Sequence, residues 1–313
     1  MARKLRFLPH NPTLVSITNR TVQGRYLLRP DLVLNDRVLG ILGKFQRIHG
    51  VRIVTITVLS SHFHILLVIE DVLQQANFMR DVQATLSREV NRLTRWRGPV
   101  FERRFDATPV TNEEKAQVER LKYVLANGVK EDLVAKVLDW PGVNTAAALL
   151  QGESLAGHWI DRARQYAARN RGEDASDKHF AVEETVTLSP LPCWAHLSPE
   201  HYRQRIEALV EEAEEEAALV RRRSGSRALG VKAILAQDPQ ARPDHLARSP
   251  APLVHAATKA ARRRVLRALR RVRERLPGRV RSPQTGKSRR PLPRRQLPAR
   301  DAVRRWMTAN RVL

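Results

Sequence analysis

Two histidines that flank a single apolar residue, His62 and His64, are the first candidates for chemistry in this sequence. They open an apolar run typical of a β-strand, in which alternate side chains point to the same face. The two imidazoles are then roughly 6 to 7 Å apart along the strand. Neutral imidazole is a common metal ligand, so the pair predicts a site for one divalent cation.

Tyr123 is the second candidate, and it lies in a segment with helical periodicity. The apolar stripe of that helix consists of Val118, Leu121 and Leu125. Tyr123 falls nearly opposite this stripe, close to Arg120, Asn127 and Lys130. A phenol beside cations suits a nucleophile for a phosphodiester, because the cations can stabilise a phenolate and hold the phosphate.

The phase of this helix creates a geometric conflict. If its apolar stripe packs on the sheet that carries His62 and His64, Tyr123 points away from both imidazoles. Two solutions remain: the helix lies across an edge of the sheet, or Tyr123 serves a partner chain. The sequence favours neither a monomer nor a homodimer.

The elements that must position these residues alternate between strand and helix over residues 1–143. Apolar periodicity predicts strands at residues 14–20, 51–58, 62–69 and 100–110, with helices at residues 31–49 and 72–93. A further helix opens at Thr111, where Thr111 and Glu114 have the spacing of a capping box. The order β-α-β-β-α-β-α predicts an α+β fold of the ferredoxin-like type.

Alternation along the strands predicts how the sheet is covered. Val54, Ile56 and Val58 share one face of their strand, and Thr55 and Thr57 share the other. The first and third strands also have an apolar face and a face with polar side chains. We therefore expect helices on one face of the sheet and an open, polar second face that displays the histidines.

Charge divides the chain into three zones. The chain has 313 residues and a formal net charge of +24, which favours a polyanionic partner and argues against an acidic-surface protein. Residues 259–313 carry net +18, whereas residues 1–258 carry only +6. We expect a mostly helical accessory region over residues 144–258, and a flexible, arginine-rich tail over residues 259–313 that follows phosphates without reading sequence.

Other features of the sequence bear on the compartment. The one cysteine, Cys193, excludes a disulfide framework and a zinc site built from several thiolates. No run approaches the ~20 apolar residues of a membrane span, and the first residues do not form a secretory signal. We expect a cytoplasmic, nucleoid-associated protein with no membrane partner.

Four segments, in this order along the chain, resemble motifs of one family. They are Thr18-Asn19-Arg20, Ser61-His62-Phe63-His64-Ile65-Leu66, Gly98-Pro99-Val100-Phe101-Glu102-Arg103-Arg104-Phe105 and Tyr123-Val124-Leu125-Ala126-Asn127-Gly128-Val129. Together they resemble the REP-associated tyrosine transposases, a branch of the single-tyrosine HUH transposases. The resemblance covers about residues 12–143. Ser61 and Gly128 depart from the Asn and Pro usual in that family, and neither change removes a reacting group.

The resemblance implies a function, a cofactor and a set of site residues. It implies cleavage and rejoining of single-stranded or hairpin DNA through a 5′-phosphotyrosine on Tyr123. It implies Mg²⁺ or Mn²⁺ on His62 and His64, with Asn127 as the residue that completes the metal site. The residues it implies at DNA phosphates are Arg20, Arg103 and Arg104, and the helix adds Arg120 and Lys130.

Two other classes of protein compete with this interpretation. The first is a non-catalytic, structure-specific DNA- or RNA-binding protein on the same fold; RNA-recognition sheets of this type stack bases on exposed aromatic side chains, which these strands lack. The second is a metal hydrolase on His62 and His64. Its nearest carboxylates, Glu70 and Asp71, are too far along the chain to share one ion with His64.

Overall fold

A four-stranded antiparallel sheet carries the two histidines. The computed structural model describes residues 7–244 and 252–274. The strands are β1 (Thr13–Arg20), β2 (Arg52–Leu59), β3 (His62–Ile69) and β4 (Asp106–Pro109), arranged in the order β2-β3-β1-β4. This is the ferredoxin-like strand order, so the predicted α+β fold class is confirmed. Strand β4 is shorter than the strand predicted at residues 100–110. In the predicted range before Asp106, only Phe101 pairs with the sheet, by a bridge to Thr21.

Nine helices and a second, two-stranded sheet complete the described residues. The helices are α1 (Leu32–His49), α2 (Val72–Thr94), α3 (Glu114–Leu125), α4 (Asn127–Lys130), α5 (Ala146–Gln151), α6 (Arg162–Asn170), α7 (Pro199–Ser224), α8 (Val231–Leu235) and α9 (Lys259–Glu274). Strands β5 (Leu155–Ile160) and β6 (Ala181–Val186) form the small sheet. Among these helices, none is long and apolar enough to cross a membrane.

Helices α1 and α2 cover one face of the large sheet, as predicted. Each begins at an aspartate whose carboxylate accepts hydrogen bonds from two backbone N–H groups of the first turn, Asp31 in α1 and Asp71 in α2. Such caps satisfy donors that a helix start leaves unpaired. Behind them, Phe78 and Met79 of α2 pack with Phe63 in a single buried cluster.

The opposite face of the sheet is covered, which corrects the expectation of an open polar surface. Leu66 and Val68 of β3 are buried there, in a cluster that includes Leu121 of α3 and Leu209 of α7. The third strand therefore presents histidines at its start and apolar side chains at its end on the same face. Leaving that apolar half in water would be unfavourable, and helices α3 and α7 remove it from solvent.

A β-bulge in β2 corrects the predicted alternation of that strand. Ile53 pairs with Leu67, and the next paired residue is Thr55, opposite Leu66, so Val54 is an extra residue. Ile53 and Ile56 consequently face α1 and α2, whereas Val54 joins the cluster under α3. The prediction that Val54 and Ile56 share a face was wrong for this reason.

The predicted capping box at the start of α3 is also absent. The helix begins at Glu114, and no side chain caps its first turn. The residue just before the helix, Glu113, makes long-range contacts. Its carboxylate accepts hydrogen bonds from the backbone N–H of Ala257 and from the Thr258 hydroxyl, at 2.9 and 2.6 Å. Thr258 in turn accepts the N–H of Ala261 in the first turn of α9. Glu113 thus joins the starts of α3 and α9.

The accessory residues pack directly onto the N-terminal part of the chain. Helix α7 contacts α3, α4 and α5, and the paired strands β5 and β6 lie on α1. This small sheet was not anticipated within a region expected to be mostly helical. Helix α9 also differs from expectation, because it gives residues 259–274 of the predicted flexible tail a regular structure; residues 275–313 lie outside the described part of the chain.

The contacts of α1 with β5 and β6 depend on glycine. A Cβ added to Gly40 would lie 2.1 Å from the backbone carbon of His158, whereas one added to Gly43 would lie 2.9 Å from that of Thr185. We expect Gly40→Ala to lower the free energy of unfolding by about 2 kcal/mol, because backbone must move to admit the methyl group. Gly43→Ala should cost less. Urea denaturation of both variants checks this order, and an unchanged or raised stability of Gly40→Ala would contradict the observed packing.

Candidate active site

The two histidines lie at the start of β3, in the centre of the sheet. His64 is paired in register with Thr18 of β1 and Thr57 of β2, and His62 with Arg20 of β1. Their ring centroids are 5.1 Å apart. The strand therefore holds both imidazoles on one side and close together, as the sequence predicts.

Both imidazoles are held through the same ring nitrogen. Nδ1 of His64 lies 2.8 Å from the Thr18 hydroxyl oxygen, and Nδ1 of His62 lies 3.1 Å from that of Ser61. Each ring thus keeps Nε2 for another partner. A hydrogen bond to the second nitrogen is the usual way in which a protein orients a metal-binding histidine.

Burial keeps the two imidazoles neutral. Desolvation lowers the pKa of His62 to about 4, and the positive charge of Arg20 acts in the same direction. The pKa of His64 is lowered well below its usual value, first by desolvation and then by His62, Arg120, Lys130 and Arg20. His64 is only 4% exposed. At neutral pH both rings are therefore unprotonated, the form that can bind a metal.

Tyr123 contacts the histidine pair within the same chain. Its ring centroid is 5.4 Å from that of His64, and the two rings meet edge to face at 86°. The phenol and the histidines therefore meet within one chain, although the phase of the helix had suggested that Tyr123 would point away from them. Helix α3 meets the sheet through hydrogen bonds as well as apolar contacts: Arg120 Nε donates to the Ser16 hydroxyl, and the Thr57 hydroxyl donates to the Val124 carbonyl.

Two cations flank the phenol. The guanidinium carbon of Arg120 and the ammonium nitrogen of Lys130 each lie 4.1 Å from the centroid of the Tyr123 ring. Burial lowers the pKa of Arg120 to about 10, and the pKa of Lys130 is also lowered by desolvation. Arg120 remains charged at neutral pH, and a desolvated cation binds an anion more strongly than one in water.

Asn127 lies one helical turn beyond Tyr123 and is completely buried. Within the described part of the chain, neither its amide oxygen nor its amide nitrogen has a hydrogen-bond partner. A buried, unpaired amide is costly, and it is typical of a site whose ligand supplies the missing interaction. Two neutral imidazoles and an amide oxygen fit a divalent cation chemically. Over the described ranges, no group of three His, Cys, Asp or Glu side chains offers an alternative metal site.

The remaining predicted phosphate contacts are distributed unevenly. Arg20 ends β1 beside His62 and acts on both imidazoles. Arg103 is not among the cations that act on them; it forms an ion pair of 2.8 Å with Asp106. Arg104 is exposed and lines a depression together with Leu269 and Arg273 of α9. The structure thus places Arg20, Arg120 and Lys130 at the site, and Arg103 and Arg104 at the end of the sheet near α9.

Several positioning residues were not singled out from the sequence. Ser16 holds Arg120, while Thr18 and Ser61 hold the two imidazoles. The alternation of β1 had placed Ser16 and Thr18 on one face with Arg20, which was the available signal. His255 was not anticipated at all, because it belongs to a segment beside β4 that is distant in sequence.

His255 provides a test of how tightly this segment is packed. Desolvation, followed by the charge of Arg120, lowers the pKa of His255 to about 4. The unfolded chain, with an ordinary pKa near 6.5, then binds the extra proton first, so the free energy of unfolding falls as pH decreases from about 6.5 towards 4. We expect His255→Gln to make the free energy of unfolding less dependent on pH, by an amount that corresponds to at most about one proton bound on unfolding. Denaturation curves of both chains at pH 7 and 5 measure this dependence. The same dependence in His255→Gln and the unaltered chain would contradict the burial of His255.

Comparison with solved structures gives partial likenesses to seven chains, among them the following two. A REP-associated tyrosine transposase bound to a REP hairpin is similar over 46% of this chain and 82% of its own, with 18% identity and a TM-score of 0.37. A protein from Deinococcus radiodurans R1 that is assigned as a transposase is similar over 38% of this chain and 94% of its own, with 18% identity and a TM-score of 0.28. No protein-family model matches the chain, and no curated protein matches it. Both likenesses are distant, so the site itself is the basis for assigning a function.

Proposed function

We propose that the chain cleaves and rejoins single-stranded or hairpin DNA through a covalent 5′-phosphotyrosine on Tyr123, as a transposase does. The observation that carries this proposal is the contact of Tyr123 with His64, beside a second neutral imidazole and two cations. A tyrosine placed for packing alone would not require two cations and two neutral imidazoles around its ring. The sequence motifs resemble the same family of enzymes.

The residues at the site have distinct roles in this reaction. Arg120 and Lys130 hold the scissile phosphate against the phenol, and Ser16 fixes the direction of Arg120. The Tyr123 hydroxyl loses its proton to solvent as its oxygen attacks phosphorus, and the bond from phosphorus to the 3′ oxygen breaks. The 3′ oxygen takes up a proton and becomes a free hydroxyl. Attack by a 3′ hydroxyl on the phosphotyrosine rejoins the strand, because the phosphodiester bond energy is kept in the intermediate.

His62, His64 and Asn127 are the residues that would hold Mg²⁺ or Mn²⁺. When bound, such an ion polarises the phosphate and stabilises the leaving oxygen. The chain contributes the neutral state and the orientation of both rings, through burial and the hydroxyls of Thr18 and Ser61.

The structure gives less support to the competing functions. A base-stacking RNA platform needs an open sheet face, and that face is covered by α3 and α7. A hydrolase that used Glu70 and Asp71 would need them near the imidazoles. Glu70 instead pairs with Arg52, and Asp71 caps α2.

The direct test uses a single-stranded oligonucleotide that contains a hairpin and is labelled at several positions along its length. Incubation with Mg²⁺ or Mn²⁺ should give a protein–DNA product that survives denaturing electrophoresis, together with a fragment ending in a 3′ hydroxyl. Tight binding of the oligonucleotide without that product would instead identify a non-catalytic, structure-specific binding protein.

A further inference from the structure

Helix α9 is a strongly basic element away from the Tyr123 site. Its exposed arginines are Arg262, Arg263, Arg264, Arg267, Arg270, Arg271 and Arg273. Of these, Arg270 forms an ion pair within the helix, with Glu274. Among the described residues, no carboxylate lies within ion-pair distance of the other six.

The apolar side of α9 is already used by the protein. Val265 and Leu269 are buried, and Leu269 lines a depression with Phe105 and Ala107 of the sheet region. A basic amphipathic helix that binds membranes inserts its apolar side among the lipids. Here that side is taken, and the surface left to solvent is a row of guanidinium groups.

The position of α9 links it to the site. Its start is fixed to the start of α3 through Glu113 and Thr258, and Arg273 lines the same depression as Arg104. Arg104 and α9 thus form one basic surface beside the end of the sheet. We call Arg104 together with α9 the basic ridge.

We propose that the basic ridge binds the phosphate backbone of double-stranded nucleic acid, namely the stem of the hairpin whose single-stranded foot reaches Tyr123. Sixteen helical residues extend about 24 Å, the length of about seven base pairs. Arg263, Arg267 and Arg271 recur every four residues, so they form one row, inclined to the helix axis, that rises about 6 Å from each residue to the next. Helix α9 has no aromatic residue on which an unpaired base could stack. A continuous row of cations without stacking groups fits the backbone of a duplex better than a flexible single strand.

This inference deepens the proposed function, and it is tested by binding rather than by cleavage. All measurements use chains with Tyr123→Phe, so that a failure of the covalent chemistry has no effect on the result. The test variant is Arg263→Gln/Arg267→Gln/Arg271→Gln. The matched control is Arg222→Gln/Arg223→Gln/Arg227→Gln, which removes the same charge from exposed arginines at the end of α7 and beyond it.

Fluorescence anisotropy at several salt concentrations gives the dependence of log K on log salt for a hairpin and for a single strand of equal length. We expect the test variant to reduce the slope for the hairpin by about 2.7, since each phosphate contact in a duplex contributes about 0.9. The slope for the single strand and the slopes of the control should change much less.

Four results would overturn the inference. They are an unchanged hairpin slope, an equal reduction in the control, an equal loss for the single strand, and loss of binding to poly-L-glutamate with hairpin binding intact. The last result would identify an acidic protein as the partner. Circular dichroism and thermal denaturation confirm that the test variant is folded, as expected for three exposed side chains.

Discussion

The Tyr123→Phe variant should form no covalent protein–DNA product and should cleave at least about 10⁴-fold more slowly, because phenylalanine keeps the ring and removes the attacking oxygen. The ring contacts with His64, Arg120 and Lys130 do not depend on that oxygen, so binding of the oligonucleotide should change little. Denaturing electrophoresis of the labelled DNA measures the product, and anisotropy measures binding.

The matched control for this experiment is Tyr166→Phe, which removes a hydroxyl from a tyrosine of α6 that is 66% exposed. Its covalent product should equal that of the unaltered chain. If Tyr123→Phe still forms the product, another nucleophile is responsible and the proposed reaction is wrong. If Tyr166→Phe loses the product as well, the loss in the first variant cannot be attributed to the site.

The His64→Gln variant is expected to weaken Mn²⁺ binding by at least about tenfold and to slow cleavage in proportion. Glutamine cannot reproduce an imidazole whose Nδ1 is held by Thr18, an arrangement that leaves Nε2 as the nitrogen proposed to bind the metal. Electron paramagnetic resonance of Mn²⁺ reports binding without any need for activity, and the matched control is His179→Gln, in an exposed turn. Equal Mn²⁺ affinity in His64→Gln and the unaltered chain would remove His64 from the metal site.

The affinity of the site for Mn²⁺ should depend on whether DNA is bound. The charges that act on the two imidazoles are all positive, from Arg20, Arg120 and Lys130. A divalent cation is repelled by these groups until a phosphate brings negative charge to the site. Mn²⁺ should therefore bind more tightly when the oligonucleotide is present. Chelation by EDTA should stop cleavage, whereas binding of the hairpin should persist.

The sequence predicted the fold class and the shared face of His62 and His64 better than it predicted packing. These histidines and Tyr123 were found from residue type and period, because a strand and a helix each fix locally the side on which a residue lies. The direction of Tyr123 was not predictable in this way, because α3 is held between the sheet and α7, and α7 is some eighty residues away in sequence. The bulge at Val54 was missed for a related reason, since an extra residue in a strand becomes visible only against its partner.

The capping box shows the same limit. The spacing of Thr111 and Glu114 suggests a local cap, but the Glu114 carboxylate accepts a hydrogen bond from the indole N–H of Trp194, 80 residues away in sequence. Such long-range hydrogen bonds leave no local pattern. The roles of Asn127 and of the other metal ligands remain predictions, although the unpaired amide of Asn127 gives that prediction a structural basis.

The hydroxyls of Ser61 and Thr18 hold Nδ1 of His62 and His64, so the two imidazoles lose their rotational entropy during folding and not when a ligand binds. Side chains that are free to rotate must be ordered when a ligand arrives, and that ordering weakens binding. Here Ser61 and Thr18 fix both rings as the chain folds. The site is therefore preorganised: capture of its ligand requires little rearrangement of the imidazoles, and the rotational freedom of both rings is already restricted in the unliganded protein.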